Sequence, residues 1–298
     1  MYDIIIIGGG PAGISAALYA VSRGKSTLVL EKERIGGLAG TVSLVSHYAS
    51  VADGETGPEF AAKLRDQAQR SGVEVVYKDV RSVELVGDVK TVRTDDEVYE
   101  AARVIIANGC TPRKLGVPGE RELAGKGTGL NALRDGERYR GKNVYVIGGA
   151  DGAVKEALHL SQFARALTLV CIEEKLACAA EFQKKLAEKN NVTVVPTSRL
   201  HALEGSEQVE KVYLENIGTG LITEIEDPGA GVFIYAGSTP NTELYPELTL
   251  VDGYIPVNER METEVLGVYA AGDIRVTPVR QIATAVSDGA VAAIHAAR

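Results

Sequence analysis

At 298 residues the chain has room for two ordinary domains. Its composition, 45% hydrophobic and 24% charged with 33 glycines, suits a globular α/β protein, and a formal charge of -8 argues against a nucleic-acid or anionic-membrane surface. No stretch is apolar for long enough to span a bilayer, and the apolar start carries Asp3 and runs straight into glycines, so the expected location is cytoplasmic.

Ile4 to Ile7 is a β-branched run ended by glycines, the pattern of a buried strand. Ile14, Ala17, Leu18 and Val21 then share a helix face, Gly24 ends that helix, and Ser26 to Leu30 returns as a strand. Thr56 with Glu59 three residues on is a capping box, so a helix is expected through Phe60, Leu64 and Ala68 to Gly72. Val73 to Tyr77 reads as a strand. Val83 to Val86, Val89 to Thr94 and Glu97 to Glu100 read as a small meander, and Val104 to Ala107 as a separate buried strand.

The pattern then repeats. Asn143 to Ile147 is a strand, Val154 to Phe163 a helix, Leu167 to Ile172 a strand, and Ala180 to Glu188 a helix. Val192 to Val195, Leu200 to Glu204, Val209 to Asn216, Leu221 to Ile225 and Val232 to Tyr235 are further strands. The last segment is too short for a domain of its own and is expected to return to the first. The expected architecture is α/β, with two Rossmann-like domains and the second inserted in the first. The first comprises 1–113 and 236–298, the second 114–235.

Gly8-Gly9-Gly10-Pro11-Ala12-Gly13 is a complete G-x-G-x-x-G between a strand and a helix. Gly8 permits the tight turn, Gly10 admits a pyrophosphate, Gly13 lets helix meet strand, and the helix N-terminus at Pro11-Ala12 faces the phosphates. Glu31 ends the next strand, where an acid accepts ribose hydroxyls. Gly148-Gly149-Ala150-Asp151-Gly152-Ala153 repeats the context but lacks the second glycine. Cys110, Cys171 and Cys178 form neither C-x-x-C nor a zinc spacing, so reduced thiols and no metal site are expected.

Leu266 to Asp273 is an apolar strand ending in Gly-Asp. With Tyr2 to Gly13, Glu31, Gly36-Gly37, Thr56 to Glu59, Ala107 to Arg113, Gly116 to Glu120, Gly272 to Arg275 and Arg280-Gln281, it resembles the low-molecular-weight thioredoxin reductases. The resemblance spans essentially the whole chain. It implies a homodimer and FAD in the first site. The implied contacts are Gly8, Gly10, Pro11, Ala12, Gly13, Glu31, Lys32, Gly37, Leu38, His47, Val80, Ala107, Asn108, Gly109, Gly272, Asp273, Arg280, Gln281 and Ile282. Asp273 would meet the ribityl chain, and Arg280 to Ile282 the isoalloxazine. Leu38 stands where the family has Gln. His47 stands for Asn, as a hydrogen-bonding substitute or as a group that tunes the flavin; the substitute is the expectation.

The departures concern function. The family's Cys-Ala-Thr-Cys-Asp is matched by Asn131-Ala132-Leu133-Arg134-Asp135, with neither cysteine. A dithiol relay needs two sulfurs, so intrachain disulfide chemistry at this position is excluded. The family's 2′-phosphate clamp, His-Arg-Arg with a further Arg, is matched by Cys171-Ile172-Glu173 and Ala177. That disfavours NADPH, while an acid at the strand end leaves NADH open. The expected activity is an FAD-dependent oxidoreductase that exchanges electrons at the flavin with a small molecule or a redox protein of ferredoxin or flavodoxin type. The alternatives are an NADH-dependent flavin reductase or oxidase, disulfide reduction with thiols supplied by a partner, and a flavin-binding dimer without activity. No side chain is assigned a catalytic role; Asp135 survives without a dithiol to serve.

Overall fold

The computed structural model describes residues 1–298. It opens with β1 (Tyr2–Ile7), α1 (Pro11–Val21), β2 (Thr27–Glu31), α2 (Gly57–Arg70), β3 (Glu74–Tyr77), β4 (Ser82–Glu84), β5 (Lys90–Arg93) and β6 (Val98–Ile106). These strands form one sheet in the order β3-β2-β1-β6-β5-β4. β1 runs parallel to both neighbours, with Ile5 opposite Leu28 on one side and Val104 on the other. Both faces of β1 are covered, so Ile4, Ile5 and Ile6 are fully buried and the strand has no polar alternation. The Thr56–Glu59 capping box forms: the Thr56 amide donates to Glu59 Oε2 at 2.8 Å, and the Thr56 side chain accepts from the Glu59 amide.

β6 corrects the sequence reading. Glu97–Glu100 and Val104–Ala107 are not two strands, because Val98 to Ile106 is continuous. Its first half pairs antiparallel with β5 and its second half parallel with β1. Nothing in Ala101-Ala102-Arg103 breaks a strand. The change from exposed to buried surroundings alone made one strand look like two.

The chain then passes through β7 (Cys110–Pro112) into α3 (Ala132–Asp135), β8 (Asn143–Ile147), α4 (Asp151–Leu160), β9 (Ala166–Val170), α5 (Ala180–Ala187) and β10 (Val192–Val195). β11 (Ser198–Glu204), β12 (Lys211–Asn216), β13 (Ile222–Glu226) and β14 (Gly231–Ile234) follow, and β15 (Ser238–Pro240) leads out. A parallel sheet β10-β9-β8-β14 carries the repeat of the nucleotide fold, and β11-β12-β13 is an antiparallel sheet. α4 begins three residues before the expected Val154 and ends before Phe163. The apolar period starts at Val154, but the backbone enters the helix straight from the glycine turn, where Gly148 takes φ +136°.

The return adds β16 (Val268–Ala270), parallel to β6, and α6 (Ile282–Ala296). α6 lies against α1: a Cβ on Gly289 would stand 2.1 Å from the Ala12 carbonyl oxygen. Ser15 Oγ donates to the Val286 carbonyl at 2.7 Å across the same contact. The chain divides into two compact units, Met1–Thr111 with Thr239–Arg298, and Pro112–Ser238. The cuts fall inside β7 and β15, which pair with each other, rather than at the expected 113/114 and 235/236. No helix is long and apolar enough to cross a membrane.

The α1–α6 contact leaves no room for a methyl group. Gly289→Ala is expected to lower stability by about 1–3 kcal/mol through overpacking, read as an earlier guanidinium midpoint for the unit that contains α1 and α6.

Candidate functional site

The first loop is built by close backbone approaches. Gly8 has φ +105°, and a Cβ there would lie 2.5 Å from the Ala107 carbonyl oxygen. A Cβ on Gly13 would lie 1.8 Å from the Gly8 carbonyl oxygen, so only glycine lets α1 start against β1. Gly10, by contrast, faces open space. Glu31 is buried beside the loop. Its Oε2 accepts the Gly9 amide at 2.6 Å, and its Oε1 accepts the Glu33 and Arg34 amides at 2.9 and 3.2 Å.

Distant segments converge on this loop. Gly37 sits against Gly10, where its Cβ would be 3.4 Å from the Gly10 Cα. Gly272 meets the first turn of α1, with a Cβ position 2.9 Å from that of Ala12. Asp273 follows directly. Burial pushes its carboxyl up, Arg280 opposes this, and Asp288 adds to it. The Asp273 carbonyl accepts from Cys110 Sγ at 3.2 Å and from Arg280 Nε at 3.5 Å. The Arg280 guanidinium stacks over the Tyr254 ring, 4.1 Å from its centroid. Gln281 is the N-cap of α6, and Ile282 is the first residue of that helix.

In the other unit, Gly148 repeats the tight turn and Ala150 is the N-cap of α4. Ala150 takes φ -88°, an extended value that alanine adopts without strain, and its side chain is exposed. Asn131 to Asp135 forms a single helical turn, α3, which the sequence had not shown as structure. Asn131 caps it by accepting the Arg134 amide at 3.0 Å. Asp135 is buried and accepts the Asn131 amide at 2.9 Å, Arg134 Nη2 at 2.7 Å and Arg138 Nη1 at 3.4 Å. Burial pushes the Asp135 carboxyl up, but the bonds from Arg134 and the Asn131 amide outweigh it and hold it below its ordinary value. None of the three cysteines forms a disulfide, and Cys110 and Cys171 are buried.

The pyridine nucleotide-disulphide oxidoreductase model matches residues 2–289. The chain belongs to that family. It is 37% identical over 302 residues to the thioredoxin reductase of Peptoclostridium acidaminophilum, covering 99% of this chain and 96% of that protein. The Lactococcus lactis thioredoxin reductase structure matches with a TM-score of 0.95 and 35% identity over 99% of this chain and 98% of that one. A ferredoxin-flavin thioredoxin reductase from Clostridium acetobutylicum matches with a TM-score of 0.54 and 30% identity over 99% and 96% of the two chains.

The chain is thus a thioredoxin reductase-like, FAD-dependent oxidoreductase with two dinucleotide-binding domains. The residues around the first loop fit the FAD that membership of this family implies. The open space at Gly10 and the free first turn of α1 suit a diphosphate. Of the expected contacts, Gly8 to Gly13, Glu31, Gly37, Ala107 and Gly272-Asp273 come together around the loop. Gly109 follows with φ +61° and nothing near its Cβ position. Asn108 also serves the backbone: its Nδ2 donates to the Asn241 carbonyl at 2.9 Å, and its Oδ1 accepts from Tyr245 at 2.9 Å. Leu38 is 42% exposed. Lys32 and His47 are exposed, while Val80 is buried in the cluster of Val83 and Leu85.

One supporting residue escaped the sequence reading. Asp288 of α6 is buried, takes Arg275 through Nε at 2.6 Å and Nη2 at 2.8 Å, and accepts the Gly272 amide at 3.1 Å. It therefore fixes the turn that presents Asp273. The one signal was an acid within the apolar stretch Ile282 to Ala296.

Glu31→Ala leaves three amides without their acceptor. Each charge-assisted bond is worth about 1.5–3 kcal/mol, so purified protein is expected to lose most of its FAD, read from the ratio of flavin to protein absorbance. Asp135 gives a pH signature. Its folded pKa lies below the unfolded value of about 3.9, so its contribution is complete above that value and fades as pH falls through the folded one. The melting-temperature deficit of Asp135→Asn is therefore expected to hold steady from about pH 5 to 8 and to shrink below about pH 4.

Proposed function

We propose that this protein exchanges electrons with its substrate or carrier directly at FAD, without an intrachain dithiol and without NADPH. The turn at Asn131–Asp135 carries this reading. It holds no sulfur, and its buried acid is paired with Arg134 and Arg138. A carboxylate held ionised in this way is a poor proton donor to a thiolate. Bound FAD supplies the redox chemistry.

The protein's own residues have binding and orienting roles. Glu31 holds the glycine loop, the α1 N-terminus receives the diphosphate, and the Arg275–Asp288 pair fixes the turn bearing Asp273. The missing arginines at Cys171 to Ala177 support the absence of NADPH. The electron partner is a small molecule or a redox protein of ferredoxin or flavodoxin type, and the working form is a homodimer. The ferredoxin named for the Clostridium acetobutylicum relative supports a protein carrier.

Anaerobic dithionite titration tests the reading. The expected uptake is about two electrons per flavin, because a redox-active disulfide would add about two more. Uptake of four electrons overturns it, as does rapid bleaching of the flavin by NADPH.

A further inference from the structure

Arg275 and Arg280 stand on either side of the same short loop and are held in different ways. Arg275 is taken up by the Asp288 carboxylate as an ion pair. Arg280 has softer partners. Its Nε donates to the Asp273 carbonyl at 3.5 Å, and its guanidinium lies 4.1 Å from the centroid of the Tyr254 ring. At that length the hydrogen bond is weak. The ring is the firmer support, because a flat guanidinium is drawn to the negative face of an aromatic ring and stacks on it.

Tyr254 is itself fixed to the segment that carries Asp273. Tyr254 and Val251 exchange two amide bonds of 2.9 Å each. The next residue, Ile255, is fully buried and joins that segment twice. Its amide donates to the Ile274 carbonyl at 3.1 Å, and its carbonyl accepts the Val276 amide at 2.9 Å. Gly272 in turn packs on Ala12 in the first turn of α1. The ring, the arginine and the glycine loop therefore belong to one connected frame. The Arg280 charge is felt inside it: burial pushes the Asp273 carboxyl up, and Arg280 opposes that rise.

We propose that Tyr254 is a positioning residue, whose ring holds the Arg280 guanidinium toward the bound FAD so that its charge favours the reduced flavin. The proposal rests on the expected place of Arg280 at the flavin, and it adds a residue that acts only through that arginine. Reduction gathers negative charge on a flavin, so a fixed cation beside it raises the potential. A guanidinium released from the ring swings into water, where its charge is screened and counts for less. The inference concerns the flavin itself and holds whichever carrier brings the electrons.

Spectroelectrochemical titration of the FAD-loaded protein is the test. Tyr254→Leu is expected to move the flavin midpoint potential to a more negative value. Tyr254→Phe keeps the ring and should keep the wild-type potential. Tyr254→Met repeats the ring-free case should the leucine variant fail to fold. Arg280→Gln should give the full negative shift, and Tyr254→Leu added to it should shift the potential no further, because the ring acts through the cation. A wild-type potential in the ring-free variants or in Arg280→Gln would overturn the proposal. An equal shift in Tyr254→Phe, or additive shifts in the double variant, would do the same. The dithionite count is unaffected by these outcomes, so this inference and the proposed function fail separately.

Discussion

Helix α1 reaches strand β1 only because Gly13 has no side chain. A Cβ there would lie 1.8 Å from the Gly8 carbonyl oxygen, closer than two non-bonded heavy atoms can approach. This contact sets the helix N-terminus at the end of the sheet, where its free amides can meet a diphosphate. Gly289 of α6 extends the same closeness to a second helix packed on α1. Once the helices are fixed, Gly272 comes to rest against Ala12, and Asp273 is carried to the site from far along the chain. The cofactor cradle is thus a consequence of tight backbone packing rather than of side chains reaching inward.

Carboxylates hold the elements that glycines bring together. Glu31 takes three amides around the loop, and Asp288 joins Arg275 to the Gly272 turn. Asp135 follows the same logic at α3. It is paired with Arg134 and Arg138.

Much of the architecture was legible because local rules agreed with tertiary need. The run Ile4 to Ile7, the Thr56–Glu59 capping box and the strand Asn143–Ile147 each appear where their residues place them. The failures have physical causes. α6 is alanine-rich and apolar on most of its surface, so it carries little helical periodicity to read. β6 passes from an exposed edge to a buried centre and so changes its pattern in mid-strand. α4 starts inside a glycine turn, where apolar spacing gives no signal.

Residue identity is a covalent fact, and the sequence alone determined whatever depends on it. That includes the intact first loop, the alanine in the second, the absence of cysteines at Asn131 and Arg134, and the absence of arginines around Glu173. What those residues do depends on partners distant in sequence, which only the folded chain brings within a few ångströms. The tertiary structure decided that Glu31 is bound to the Gly9 amide and that Asp288 fixes the turn of Asp273. It also placed Glu173 over Gly149 as Glu31 stands over Gly9. A hydrogen bond or a charge effect is short-ranged, and spacing along the chain does not encode it when the two groups lie on different elements.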